Sequence, residues 1–379
     1  MTTPAEPRPD GSSSDDAVWG VLQLIALQQG LDEEPDERAA PLARADFDHG
    51  RLVEQAMRHG LLAALAHYLH RHGLRRTLPA RLRNPVLSYL LMSEHRAHLL
   101  THEALRVSTA LEGAGIQAAW TKGVVLQSTL YDDSGVRTYN DIDLMIVPAD
   151  RERTQAALVD LGYEAAVAFD PTARELRKIS RAAERMYRMS PDHLPHFHRL
   201  VDDLCVPHIS VDVANSLTWH GSAWHVPLGP VMAQRETVNV LGGTTLPTLS
   251  PTHCFLFLCL HLFREAWVQR TVQTKDVSLA QFADIARQWR RSSPQTRRRV
   301  AKSVATWELA GPVAWVCAHT DALLGTEMVA GLGLAAAADP AWLASGQGGS
   351  GRRLTWSGDM RERLRSPHPP ELVPVAADA

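Results

Sequence analysis

The chain predicts an α+β fold: a small mixed sheet with helical layers on its N- and C-terminal sides. Three observations carry this. Helical periodicity fills the first third, up to Leu111. From Ile116 to Phe169 short apolar runs alternate with helix-like segments, and two more extended runs follow at 196–201 and 206–213. After Pro251 the pattern is helical again as far as Leu324. Apolar residues at spacings of three and four mark amphipathic helices, whereas short runs bounded by Gly, Pro or Asp mark strands.

In order, residues 1–16 are rich in Pro, Ser and Asp and are expected to be disordered. Val18–Gln29 places Trp19, Leu22, Ile25 and Ala26 on one helical face. A polar loop at 31–40 separates it from helices at 46–59, 61–72 and 86–111, the last stopped by Gly113 and Gly115. The core then reads strand 116–120, helix 123–131, strand 141–147, helix 150–161 and strand 163–169. Pro148 ends the second strand, and Asp150 is placed to cap the helix after it. A basic helix at 172–189 would carry Arg174, Arg177, Arg181, Arg185 and Arg188 as one stripe. That stripe is either a solvated face or a guide for a triphosphate or an RNA backbone. Runs 196–201 and 206–213 form an antiparallel pair joined through Asp202-Asp203. Helices at 251–268, 277–290 and 300–324 follow, with Arg287–Arg299 reading as a helix end and surface loop around Pro294. From about Gly346 a Gly-, Ser- and Pro-rich tail is expected to be flexible. The expected organisation is therefore 1–16 disordered, 17–115 helical, 116–250 core, 251–345 helical and 346–379 tail.

Composition narrows the class. The chain has 379 residues, 45% hydrophobic and 21% charged, with a net charge of −3. Its length allows a substantial core, and its mild acidity argues against a dedicated nucleic-acid binder. The longest apolar runs, such as Cys254–Leu260, are too short for a membrane span. Four cysteines without Cys-x-x-Cys spacing fit buried thiols, and with no apolar leader at the start they point to the cytoplasm. No Gly-x-Gly-x-x-Gly or Walker pattern supports a dinucleotide or P-loop fold.

The most informative stretch is Arg137-Thr-Tyr-Asn-Asp141-Ile-Asp143-Leu-Met-Ile-Val147. Side chains alternate faces along a strand, so Asp141 and Asp143 point one way and Ile142 the other. Two carboxylates roughly 7 Å apart on one face repel unless a cation lies between them, and oxygen ligands suit Mg²⁺. A plain strand start with two solvated acids is the alternative. Eighteen residues upstream of Asn140 to Asp141, Trp120-Thr-Lys122-Gly123 closes one strand and opens a helix. Gly123 permits close backbone approach, the helix start offers N–H groups, and Lys122 offers a point charge for phosphate.

Lys122-Gly123, Leu126, Leu130-Tyr131, Arg137, Asp141-Ile-Asp143-Leu144, Asp150 and Leu161-Gly162-Tyr163 occur in that order. Together they resemble the nucleotidyltransferase superfamily with its DNA polymerase β-like fold, and within it a bacterial branch of uncharacterised nucleotidyltransferases. The detailed resemblance covers about 45 residues, and a looser one continues to about residue 290. It implies transfer of an NMP unit from an NTP, with Mg²⁺ (or Mn²⁺) as cofactor. Asp141 and Asp143 would bind the metal on the triphosphate, and Asp212, an acid inside the apolar run Val211–Val213, would supply a third carboxylate as ligand or base. Lys122, the Gly123 amide and Arg137 would face phosphates, although Arg137 suits a surface pair with Asp132 or Asp133 equally well. The family pattern places a histidine and a tryptophan shortly after the third acid, where this chain has Ala214 and Asn215. Most of the superfamily has Gly-Ser where this branch has Lys-Gly, so the phosphate role of Lys122 rests on the branch alone. Phe282-Ala-Asp284-Ile-Ala286 resembles an Asp-Ile-Ala element of the branch, which makes Asp284 an anchor for the helical region or an ordinary surface acid.

Several readings stay open at this level. A small molecule or peptide is the first acceptor, RNA (as for a tRNA-directed toxin) the second, and a catalytically silent nucleotide-binding module the third. His193, His196 and His198, with His208, form a rival zinc constellation or line the cleft beside Asp212. His253 and His261 lie in an apolar helix and read as packed or surface residues.

Overall fold

The computed structural model describes residues 11–27, 37–189, 192–240, 242–274 and 277–375. The N-terminal layer comprises α1 (Gly11–Leu27), α2 (His49–Arg58), α3 (Leu62–Arg71) and the long α4 (Ala80–Gly113). The core follows as β1 (Ala118–Thr121), α5 (Gly123–Leu130), β2 (Asp141–Ile146), α6 (Arg151–Asp160), β3 (Glu164–Ala165), β4 (Val167–Asp170), β5 (Glu175–Lys178), α7 (Arg181–Met189), β6 (Phe197–Leu200) and β7 (His208–Ala214). Next come α8 (Leu228–Ala233), β8 (Glu236–Asn239), β9 (Thr245–Thr248), α9 (Pro251–Trp267), α10 (Gln269–Thr274), α11 (Leu279–Arg291), α12 (Pro294–Thr306) and α13 (Ala310–Leu324). The chain closes with α14 (Met328–Leu332), α15 (Pro340–Leu343), β10 (Ser345–Gln347), β11 (Arg353–Thr355), α16 (Met360–Arg365) and β12 (Val373–Pro374).

The central sheet is mixed, in the order β3-β6-β7-β2-β1-β9-β8. β2 runs parallel to β7 and antiparallel to β1, and β1 meets β9 in parallel. Alternation sorts its side chains. Trp120, Ile142, Leu144, Ile146, Phe197, Val211 and Val213 pack on Ala97, Leu100, Ala104, Val107 and Leu111 of α4. The other face carries Ala119, Met145 and Ala214 into the cluster of helices α9, α11 and α13. α4 is pinned to the far side by a buried network: Tyr163 Oη donates to Glu103 Oε1 at 2.6 Å, and Arg199 Nη2 donates to Glu103 Oε2 at 2.8 Å. The Leu161-Gly162-Tyr163 turn serves this anchor, with Gly162 at φ 84°. No described helix is long and apolar enough to cross a membrane.

Several expectations need correction. α1 begins at Gly11, inside the stretch expected to be disordered, while residues 1–10 lie outside the described residues. Asp16 there accepts from Arg361 and Arg365, ties that composition does not reveal. The strand expected at 163–169 splits into β3 and β4 at Ala166, whose φ of 56° turns the chain. The helix expected at 172–189 is a β4–β5 hairpin followed by α7, so the arginine stripe does not exist as one face. Asp170 makes the turn by accepting from the Thr172 and Ala173 amides, and Arg177 pairs with Asp170 and Glu175. Arg188 keeps its place in α7, but its side chain lies outside the described residues. The segment 300–324 is two helices, and Pro294 opens α12 rather than a loop. The expected tail forms β10–β12 and α16, with Trp356, Met360 and Leu364 buried, while 376–379 lie outside the described residues. Asp150 spends its carboxylate on Arg153 instead of the helix amides.

Candidate active site

Asp141 and Asp143 share one face of β2, and the parallel register sets Asp143 directly beside Asp212 of β7. All three carboxylates therefore occupy one sheet face, opposite the apolar face that packs on α4. Asp143 is 6% exposed, so its charge is deeply desolvated. Burial pushes its carboxyl up to about 6, the Lys122 ammonium pulls the other way, and Asp141 and Asp212 add to the rise.

Lys122 supplies the local countercharge. Its Nζ lies 2.6 Å from Asp143 Oδ1 and 3.5 Å from His261 Nε2. Burial alone would lower this ammonium, but Asp143, Asp212 and Asp141 together hold it above the ordinary lysine range. The backbone here is strained: Lys122 sits at φ 38°, ψ −131° between β1 and α5. Such a conformation costs a non-glycine residue about 1–3 kcal/mol and persists where the surroundings over-determine it. Gly123 allows a close approach next to it, because a Cβ there would meet Tyr139 Cδ2 at 3.1 Å and the Asp141 carbonyl oxygen at 3.2 Å. The close approach that glycine allows thus fits α5 against the start of β2.

Asp212 is held differently. Burial raises its carboxyl, but the hydrogen bond from His193, with the His193 and His196 imidazoles and the Lys122 ammonium close by, outweighs burial and holds it far below the usual range. Arg264 Nη1 donates to His193 Nε2 at 3.2 Å. A guanidinium only donates, so Nε2 accepts and the ring proton sits on Nδ1, which donates to Asp212 Oδ1 at 3.3 Å. His193 also forms a β-bridge with Ala214, so an imidazole reaches the acid from the neighbouring segment. His196 Nε2 lies 3.8 Å from the same oxygen. His198 and His208 run further along this face, and Phe169 stacks on His208 at 4.3 Å. Burial first, then neighbouring histidine charge, lowers His198 to about 4.

Arg137 does not reach Asp132 or Asp133, which pair with Arg291 and His67. It forms a buried two-pronged pair with Asp284 of α11, Nη2–Oδ2 at 3.0 Å and Nε–Oδ2 at 3.1 Å. Tyr131 Oη donates to Asp284 Oδ1 at 2.7 Å, and Arg287 lies 4.4 Å from the Tyr131 ring centre. Asp284 is therefore an anchor between the helical layer and the core, as the Asp-Ile-Ala resemblance implies. Arg137 Nη1 is left without a hydrogen-bond partner.

Two cavities meet at Lys122 and Asp143. A cleft of about 550 Å³ holds Asp141, Gly123, Arg137 and Asp284, and a small cavity of about 20 Å³ holds Asp212, His193 and Arg264. Arg174, Arg177, Arg181 and Arg185 line neither. Helix α9 roofs the acids with His261 and Arg264, one turn apart. Sequence reasoning read His261 as packed or surface and passed over Arg264. Their spacing with Phe257 was the available signal, though an apolar helix hides it. The donor set is three carboxylates on one face with one ammonium among them, so Asp141, Asp143 and Asp212 fit a hard divalent cation. In this structure the cation they share is Lys122, and among the described residues no three His, Cys, Asp or Glu side chains gather as a ready metal cage. That holds for the histidines of the zinc reading too.

A family model described as an uncharacterised nucleotidyltransferase matches residues 45–325. The chain belongs to this nucleotidyltransferase family. No curated protein sequence matches it. The matched span takes in Lys122-Gly123, all three acids, and the Asp284 anchor. Helix α1 and everything after Gly325 lie outside it, although Ile25 and Ala26 of α1 line the large cleft.

Proposed function

We propose that the protein transfers an NMP unit from an NTP to a hydroxyl or similar group on a small molecule or peptide. The observation that carries this is the shared sheet face of Asp141, Asp143 and Asp212, set against Lys122-Gly123 at the open start of α5. The strand–turn–helix before an acid-bearing strand, with a third acid on a parallel neighbour, supports reading the core as polymerase β-like. Asp141, Asp143 and Asp212 would hold Mg²⁺ or Mn²⁺, which neutralises charge on the triphosphate and the departing pyrophosphate. Asp212, kept ionised by His193, suits a ligand better than a base, because so acidic a carboxylate takes up protons poorly. The Gly123 amide and its neighbours offer donors to phosphate oxygens. Lys122 turns from Asp143 to phosphate, and the spare Nη1 of Arg137 adds a donor. A tRNA acceptor loses its main support with the broken arginine stripe, which lines neither cavity.

The decisive assay incubates the protein and Mg²⁺ with NTP labelled at the α-phosphate, alongside small-molecule, peptide and tRNA fractions. Labelled product and pyrophosphate with the small-molecule or peptide fraction, absent in Asp143→Asn, is the expected outcome. Labelled tRNA would move the acceptor to RNA. NTP binding without transfer to any fraction would support the silent-module reading.

A further inference from the structure

The large cleft is lined both by Lys122, Asp141, Asp143 and Arg137 and by Ile25, Met57, Leu61, Tyr89, Leu258 and Leu262. Helix α4 gives a scale for the distance from Asp141 to Tyr89. Tyr139 Oη donates to the Ala97 carbonyl, and Arg96 Nη1 donates to Asn140, so this part of α4 lies beside the residues leading into Asp141. Ser93 Oγ reaches the Gly135 carbonyl one turn further back, and Tyr89 lies one turn beyond that. From Ala97 to Tyr89 the helix advances about 12 Å at 1.5 Å per residue. That is the scale separating the phosphates of a nucleotide from its base.

Met57 lines the cleft and is 61% exposed, so its side chain is open to a ligand there. Several polar side chains that line the cleft already have partners. Thr138 meets Ser93, Asn140 accepts from Arg96, Ser278 and Gln281 cap α11 together, Arg58 donates to the Arg365 carbonyl, and Arg287 donates to the Ala26 and Leu130 carbonyls. We infer that Tyr89 and Met57 form a slot for the nucleobase of the NTP, recognising it by stacking and apolar contact rather than by its edges. This rests on the proposed triphosphate site at Lys122-Gly123. It predicts a base-tolerant enzyme, since every base presents the same kind of π-face to a stacking side chain.

Calorimetry with Mg²⁺ and ATP, GTP, CTP, UTP or inorganic triphosphate tests this on the full chain. The four NTPs should bind within about tenfold of one another, and each about tenfold to hundredfold more tightly than triphosphate. Tyr89→Ala should bring all four down to the triphosphate level and leave triphosphate binding unchanged, whereas Tyr89→Phe keeps the ring and the affinity. Should Tyr89→Ala not fold, Met57→Ser at its exposed position carries the same comparison. One NTP preferred more than a hundredfold, or NTP affinities unmoved by both substitutions, overturns the slot. Tyr89-dependent NTP binding without any triphosphate binding supports the slot and sinks the Lys122-Gly123 phosphate site instead. No binding of any NTP sinks both.

Discussion

At the scale of single residues, Lys122 and Asp143 set the behaviour of the site before any ligand arrives. Asp143 titrates higher in the folded chain, about 6, than an unfolded aspartate near 3.9. The folded state therefore binds the proton more tightly, and this contribution to stability is complete below pH 4 and lost as pH rises through about 6. Thermal melts of metal-free protein between pH 4 and 7 should show that loss, and Asp143→Asn should lack it. Equal pH slopes in both proteins would mean that burial and the neighbouring acids do not raise Asp143 as described. Lys122→Ala should act in the opposite sense, because three buried or half-buried carboxylates lose their shared ammonium. Breaking such a pair costs about 3–5 kcal/mol. Lys122→Gly should melt above Lys122→Ala, since the strain at φ 38° costs more than the added freedom of glycine. Urea denaturation of the two variants checks the order. Asp141, Asp143, Lys122 and Gly123 were legible because alternation and a helix start need only neighbours in sequence. His193, Arg264 and His261 were not, since what joins them to the acids is the crossing of α9 over the sheet.

At the scale of elements, the β1–α5 turn and the Arg137–Asp284 pair position the site. Gly123→Ala would force a Cβ onto Tyr139 and the Asp141 carbonyl, a crowding that costs about 1–3 kcal/mol and shifts the start of β2. The melt should fall by that amount, and an unchanged melt would show that the turn is looser than described. Asp284→Asn should destabilise the chain more than Arg137→Lys, because it leaves Arg137 buried without a counter-charge while Tyr131 loses its charged acceptor. A smaller effect for Asp284→Asn in urea melts would place the anchor elsewhere. The order of strands and helices from β1 to α6 was readable from periodicity, but the β4–β5 hairpin was not. Its arginines fall at helical spacing by coincidence, and the turn depends on Asp170 caging two amides. β8 and β9 escaped because both are short polar runs that become strands chiefly by pairing with each other, with β1 meeting β9 only at Thr248.

For the whole molecule, the segments beyond the family match close on each other and on the cleft. Asp16 of α1 takes Arg361 and Arg365 from the C-terminal end, and Arg363 donates to the Ala266 carbonyl of α9. Composition hid this, because Gly, Ser and Pro dominate the tail while a few apolar side chains, Leu354, Trp356, Met360 and Leu364, do the packing. Trp356→Ala should therefore cost about 3–5 kcal/mol, a core-like loss that a flexible tail would not show. If Asp141, Asp143 and Asp212 form one cation site completed by nucleotide, Mn²⁺ binding followed by electron paramagnetic resonance will reveal it. Mn²⁺ uptake should strengthen sharply with NTP in the unaltered protein and be lost in Asp143→Asn and Asp212→Asn. Uptake with NTP that survives both substitutions would contradict it.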